Sequence, residues 1–170
     1  MKVNSCFSYF FFLIPGLLFS IAVSGQSQPA TDTSLPAFHL QLIDSSFYVS
    51  NQPTSRKFIA IIYFSPDCGH CLDMTEALAQ KADSLASTLV LMVAYKPLQE
   101  LQQFSERYRL KLFPGILVGQ DISYAIVPFY RIEYTPFVAL YGPKRELIRT
   151  WRSPEQPFRI EELLTMLHTK

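Results

Sequence analysis

The chain has 170 residues, 49% of them hydrophobic and 14% aromatic. That is long enough for one domain with a packed core and too apolar for a disordered or fibrous class. Fifteen Lys and Arg face fourteen Asp and Glu, scattered rather than blocked, so no strong field gathers nucleic acid or acidic lipid, and no nucleic-acid partner is expected.

The first segment, MKVNSCFSYFFFLIPGLLFSIAVSG (1–25), has one Lys, an uncharged apolar stretch and then small residues. That is the layout of a secretory signal peptide, with Val23 and Gly25 as the small residues before a cut. The competing reading is an uncleaved membrane anchor, because Cys6 to Val23 approaches the roughly 18 apolar residues a spanning helix needs. Pro15-Gly16 interrupts that stretch and favours cleavage. Cys6 precedes the apolar run, whereas a bacterial lipoprotein cysteine follows it. Either way the domain is expected in the periplasm or cell envelope, with membrane contact only if the leader is retained. Cys68 and Cys71 are then the mature chain's whole thiol inventory, in a disulfide-permissive compartment.

Residues 26–36 are polar and read as a flexible tether, leaving 37–170 as the domain. Phe38 to Ile43 and Phe47 to Val49 alternate as short edge strands do. FIAIIYF (58–64) is continuously apolar and β-branched, the pattern of a strand buried on both faces. Leu72 to Ser87 has helical spacing, with Leu72, Ala79, Ala82 and Ala86 near one stripe and Leu78 and Leu85 beside it. LVLMVAY (89–95) is a second buried strand. Pro97 suits the first turn of a helix that buries Leu98, Leu101, Phe104 and Tyr108. FPGILVG (113–119) reads as a short extended piece, and Asp121 as a cap for a short helix toward Val127. TPFVALY (135–141), a GPKR turn and ELIRTW (146–151) form a hairpin. A helix over 158–167, with Ile160, Leu163, Leu164 and Leu167 inward, ends the chain. This order predicts an α/β fold with a mixed central sheet and helices on both faces.

Cys68-Gly69-His70-Cys71 falls where the first buried strand meets a helix. A sulfur at the helix cap meets backbone N–H groups that lack partners and the positive end of the helix dipole. Its thiolate is thereby favoured, and the thiolate is the attacking species. Cys71, three residues on, can resolve a mixed disulfide, so the pair can cycle between dithiol and a Cys68–Cys71 disulfide. Two other readings compete. Structural zinc needs four ligands, and beyond the motif only His39 and His168 offer themselves, far apart in the sequence, so no metal is expected. A purely structural disulfide between such near neighbours closes a tiny loop and removes little unfolded-state entropy.

CGHC after FIAIIYF, with Thr135-Pro136 before FVALY, resembles the thioredoxin fold. The order of segments from Phe104 to Trp151 is similar to that of the TlpA/ResA-type thiol-disulfide oxidoreductases of bacterial envelopes. The likeness covers Phe38 to Lys170, and CGHC itself is the motif of protein disulfide isomerase domains. The resemblance implies Cys68 as nucleophile and Cys71 as resolving thiol, with no cofactor. It implies protein thiols and disulfides as substrates and a membrane electron donor or acceptor as partner. Pro136, which by itself reads as an ordinary trans proline opening a strand, would be cis and opposite the cysteines, and Thr135 would offer its backbone to an extended substrate. Gly69, His70 and Asp67 surround the thiols. A cationic His70 would favour the thiolate, and the Asp67 carboxylate would disfavour it.

Three positions depart from the family pattern. Ile62 stands where relatives often bury an acid that takes the resolving cysteine's proton. Glu76 replaces a helix-kinking proline, and Asp67 replaces an aromatic residue. The motif leaves direction open. The whole-chain likeness points to a reductase, and CGHC points to an oxidase or isomerase. A binding module with idle cysteines is a third reading, and a peroxidase has no adjacent Arg or Thr arrangement to demand it.

Overall fold

The computed structural model describes residues 34–152 and 154–169. The leader and most of the tether lie outside the described residues. Contacts divide the chain into units 1–31 and 32–170, and the second contains everything that follows. No helix among the described residues is long and apolar enough to cross a membrane.

Seven strands form one sheet: β1 (His39–Leu42), β2 (Phe47–Val49), β3 (Phe58–Tyr63), β4 (Thr88–Ala94), β5 (Ile116–Asp121), β6 (Phe137–Tyr141) and β7 (Leu147–Trp151). Their spatial order is β2-β1-β5-β4-β3-β6-β7. The pairs β3–β4 and β4–β5 are parallel, and the remaining pairs are antiparallel. The helices are α1 (Gly69–Gln80), α2 (Leu98–Arg107), α3 (Ile126–Tyr130) and α4 (Ile160–His168).

Strand periodicity explains the layering. Successive side chains of β3 alternate between faces. Phe58, Ala60 and Ile62 therefore join one buried cluster with Leu78 of α1, Leu101 and Phe104 of α2 and Leu163 of α4. Ile59, Ile61 and Tyr63 join the other, with Ile126 and Tyr130 of α3 and with Phe38 and Tyr48. Helices thus cover both faces unequally, three on one and short α3 on the other.

Four local readings change. The segment 113–119 is no bare extended piece, because β5 is a full strand inserted between β1 and β4. Gly119 allows β1 to approach, since a Cβ there would lie 3.0 Å from the Gln41 carbonyl oxygen. The helix read over 72–87 ends at Gln80 and tightens into a 3-10 turn over Ala82–Leu85. Its buried stripe is Cys71, Met74, Thr75 and Leu78, spaced i, i+3, i+4, i+7. Counting only obvious hydrophobes hid that stripe, because a cysteine and a threonine are half of it. Pro97 is the N-cap residue of α2, one position before the first turn, with extended backbone (ψ 139°). Ser34 to Pro36, read as the end of the tether, belongs to the domain. Ser34 bridges Glu146, Leu35 packs on the second cluster, and Pro36 is buried.

Asp121 does cap α3. Its buried carboxylate accepts the Ala125 and Ile126 N–H groups at 3.2 and 3.0 Å and the Ser123 hydroxyl at 3.0 Å.

Candidate functional site

β3 is held between β4 and β6, so the chain leaving it has a fixed starting point. The Phe64 N–H still bonds the Val93 carbonyl at 2.9 Å, and Ser65 to Asp67 then turn the chain into α1. Cys68 is the N-cap residue of α1, with extended backbone (φ −91°, ψ 117°). Its side chain carries no oxygen, so a sulfur stands where a capping hydroxyl or carboxylate would usually accept the first N–H groups. α1 then runs without interruption through Glu76.

Cys68 and Cys71 are both free thiols with opposite surroundings. Cys68 is half-buried, and its Sγ donates to the Thr135 carbonyl at 3.4 Å. Partial burial opposes its ionisation, but hydrogen bonds from the Cys71 thiol, the Thr135 side chain and the Cys71 and His70 N–H groups outweigh it. Cys68 is held below its ordinary value. Cys71 is fully buried in the first cluster. Burial is the largest influence on it, and the neighbouring Cys68 sulfur adds to it. Together they push Cys71 up to about 12, against weaker help from the Ser65 backbone and the Thr135 side chain. No carboxylate is among these main influences, and Ile62 is itself wholly buried in the same cluster. The thiol that ionises readily faces outward, and the one that holds its proton is sealed beneath it.

Thr135 and Pro136 stand opposite the pair. The bond between them is cis, and both are half-buried. Asp67, His70 and Gly69 are exposed. A Cβ at Gly69 would meet nothing within 4 Å, so the backbone between the thiols faces open space at that residue. Asp67 is not the bare carboxylate that the sequence suggests. Lys96, just past β4, pairs with it at 2.7 Å and also lies 3.9 Å from Glu100. Asp67 accordingly raises the Lys96 ammonium, through a hydrogen bond first and its charge second. Lys96 carries no motif signature and was invisible in the sequence.

A groove of about 510 Å³ opens beside the thiols. His70, Thr135 and Pro136 line its near end, α1 supplies Met74 and Ala77, and the start of α4 supplies Ile160. Its parts come from three separated segments, so no linear pattern could have announced it. Among the described residues no group of three or more His, Cys, Asp or Glu side chains is placed to hold a metal ion.

No family model matches this chain. No curated protein matches it either. Solved structures do. A secreted Mycobacterium tuberculosis disulfide oxidoreductase, described as homologous to E. coli DsbE, superimposes with a TM-score of 0.65 at 16% identity, covering 78% of this chain and 96% of its own. A putative thioredoxin from Neisseria meningitidis gives 0.65 at 20% identity, covering 81% and 88%. A putative protein disulfide isomerase from Bacteroides thetaiotaomicron gives 0.62 at 15% identity, covering 79% and 86%. At these identities the likeness carries the fold, and the fold of this chain is thioredoxin-like.

Proposed function

We propose that this chain is a thiol-disulfide oxidoreductase of the cell envelope, acting on protein substrates through Cys68 and Cys71 without a cofactor. The observation that carries the reading is the opposed pair of environments three residues apart: an outward thiol favoured as thiolate over a buried thiol that keeps its proton. The Cys68 thiolate attacks one sulfur of a substrate disulfide, forming a mixed disulfide and expelling the other sulfur as a thiolate. Cys71 then gives up its proton and attacks Cys68. That closes the Cys68–Cys71 disulfide and releases the substrate's second thiol. The substrate gains two electrons and the protein loses two. An external dithiol, fed from a membrane partner, would return them.

Run in this direction the protein is a reductase of the TlpA/ResA kind, which the order of segments from Phe104 to Trp151 favours. The same steps in reverse make a disulfide oxidase. An isomerase instead lets a second substrate thiol attack the mixed disulfide and return Cys68 as thiolate, with no net electron transfer. The Gly69-His70 spacer favours this oxidase or isomerase reading. The leader pattern supports export, and the chain from Ser34 onward supports a domain that starts at or before that residue. Thr135 and Pro136 are the substrate-facing residues in both directions. Asp67, Gly69 and His70 shape the approach to Cys68.

The test is trapping in the native envelope with Cys71→Ser. Without the resolving thiol, the attacked partner stays linked to Cys68 and can be identified by mass spectrometry. A reductase captures proteins that end reduced, and an oxidase captures proteins that end disulfide-bonded. Recovery of no linked partner from Cys71→Ser, with exchange by the unmodified protein also absent, would overturn the assignment.

A further inference from the structure

Resolution by Cys71 needs somewhere for its proton to go, and the carboxylates of the domain are elsewhere. Ile62 is fully buried in the cluster that holds Cys71. Asp67, His70, Asp73 and Glu76 on α1 and its lead-in are exposed, as are Glu100 on α2 and Glu161 on α4. Lys96 is paired with Asp67, and Glu162 with Arg149. Asp121, the one fully buried carboxylate among the described residues, is committed to the first N–H groups of α3. Cys71 is itself 0% exposed, so bulk water does not meet its sulfur.

Two hydroxyls stand near the sealed thiol. That of Thr75 is occupied, since it donates to the Cys71 carbonyl at 2.7 Å. That of Thr135 is placed differently. β6 pairs with β3 from Phe137, opposite Tyr63. Continued past the ladder, this register brings Thr135 level with Ser65, where the chain turns towards Cys68. Cys68 Sγ donates to the Thr135 carbonyl at 3.4 Å, which holds that backbone against the pair. The Thr135 hydroxyl hydrogen-bonds both sulfurs. A hydroxyl accepts and donates at once, so it can take a proton on one side and give one on the other.

We propose that the Thr135 hydroxyl relays the Cys71 proton to the substrate sulfur that leaves Cys68. The proposal rests on the exchange reading above and supplies the proton route that it leaves open. In the resolving step three sulfurs lie in a row with Cys68 in the middle, so a hydroxyl beside the row reaches both ends. The Cys71 thiol hands its proton to Thr135 Oγ while Oγ passes its own to the departing sulfur. The Cys71–Cys68 bond forms and the Cys68–substrate bond breaks. The bonding pair goes to the substrate sulfur, which leaves as a thiol. No charge is stranded in the core, and no outside base is consumed. Run backwards, the same relay serves oxidation. The surroundings of the two sulfurs decide which one attacks, and the relay sets how fast the second step runs.

The test follows a single turnover. Reduced protein is mixed with an excess of a peptide whose one cysteine is capped by glutathione, quenched in acid at intervals and weighed as intact protein. The mixed disulfide grows with attack and decays with resolution, so the two rates separate. In the unmodified protein the resolution rate should stay nearly constant across neutral pH. Thr135→Val keeps the shape and loses the hydroxyl. Its resolution should fall about a hundredfold, the low end of what a positioned proton-transfer group supplies. It should also rise about tenfold for each pH unit, because solvent must then remove the proton to make the thiolate. Thr135→Ser should restore both the rate and the flat profile. A residue that only shapes the site would change rates without adding that slope. Thr135→Val with an unchanged rate and a flat profile would overturn the relay and leave the exchange chemistry standing. So would a steep rise with pH in the unmodified protein, a measurement that needs no variant to fold. Failure of Cys71→Ser to form any mixed disulfide with the peptide would instead bring down the exchange reading, and the relay with it.

Discussion

The mouth and the floor of the site lie one helical turn apart and obey different physics. At the mouth, Cys68 meets the Cys71 and His70 N–H groups and the Thr135 carbonyl, beside an open Gly69 backbone. At the floor, Cys71 shares the core with Met74 and Leu78. The difference teaches that two identical side chains need no separate catalytic group to become an attacker and a resolver. Burial raises both thiols; at Cys68 hydrogen bonds from Cys71, Thr135 and His70 outweigh it, and at Cys71 the deeper burial and the Cys68 sulfur prevail.

The sharpest way to break the comparison is to remove each sulfur. Cys68→Ser should abolish disulfide exchange, lowering the rate by more than about a thousandfold, because no other described thiol faces outward. Cys71→Ser should leave the first attack within a few-fold of normal and stop turnover afterwards, with the mixed disulfide accumulating on non-reducing gels. Equal, mild losses in both variants would erase the distinction between mouth and floor.

Disturbing the floor without touching a sulfur comes next. Leu78 is fully buried on the stripe that seats Cys71. Leu78→Ala should cost about 2–5 kcal/mol in denaturant unfolding of the reduced protein. The pH at which Cys68 ionises should hardly move. A large change in that pH with little loss of stability would mean that the floor reaches the mouth through something other than packing.

The smallest expected effect is at the rim of the mouth. Lys96→Met leaves the Asp67 carboxylate unpaired next to Cys68 and should raise the pH of Cys68 ionisation by less than about half a unit, the scale of an exposed pair. Adding Asp67→Asn should undo the rise. Salt should weaken both effects, and a rise that persists at high salt would point to a conformational cause.

How much of this was legible in the sequence follows from range. β3 and β4 could be read from their unbroken apolar runs, and Cys68 at a helix start from the strand that precedes it. The strand β5 was harder, because Pro114, Gly115 and Gly119 lower its apparent propensity. Only the approach of β1, which no local window contains, explains Gly119. The inner stripe of α1 was misphased because Cys71 and Thr75 bury without being conventional hydrophobes. The Asp67–Lys96 pair spans 29 positions, and the groove joins α1, the Thr135 loop and α4. Both arise from tertiary placement, and neither leaves a local pattern.

The exchange chemistry stands on the acidity difference between two thiols, and alkylation followed by peptide mass mapping reads it directly. Reduced protein is pulsed with iodoacetamide across a pH series, and only thiolate reacts. A lowered value means Cys68 loses its proton first as pH rises, so its modification should reach half its maximal rate below the free-thiol value of about 8.5. Cys71 should stay unmodified until the pH nears about 12. Modification of Cys68 with the profile of a free thiol, or of Cys71 at the lower pH, would contradict the account.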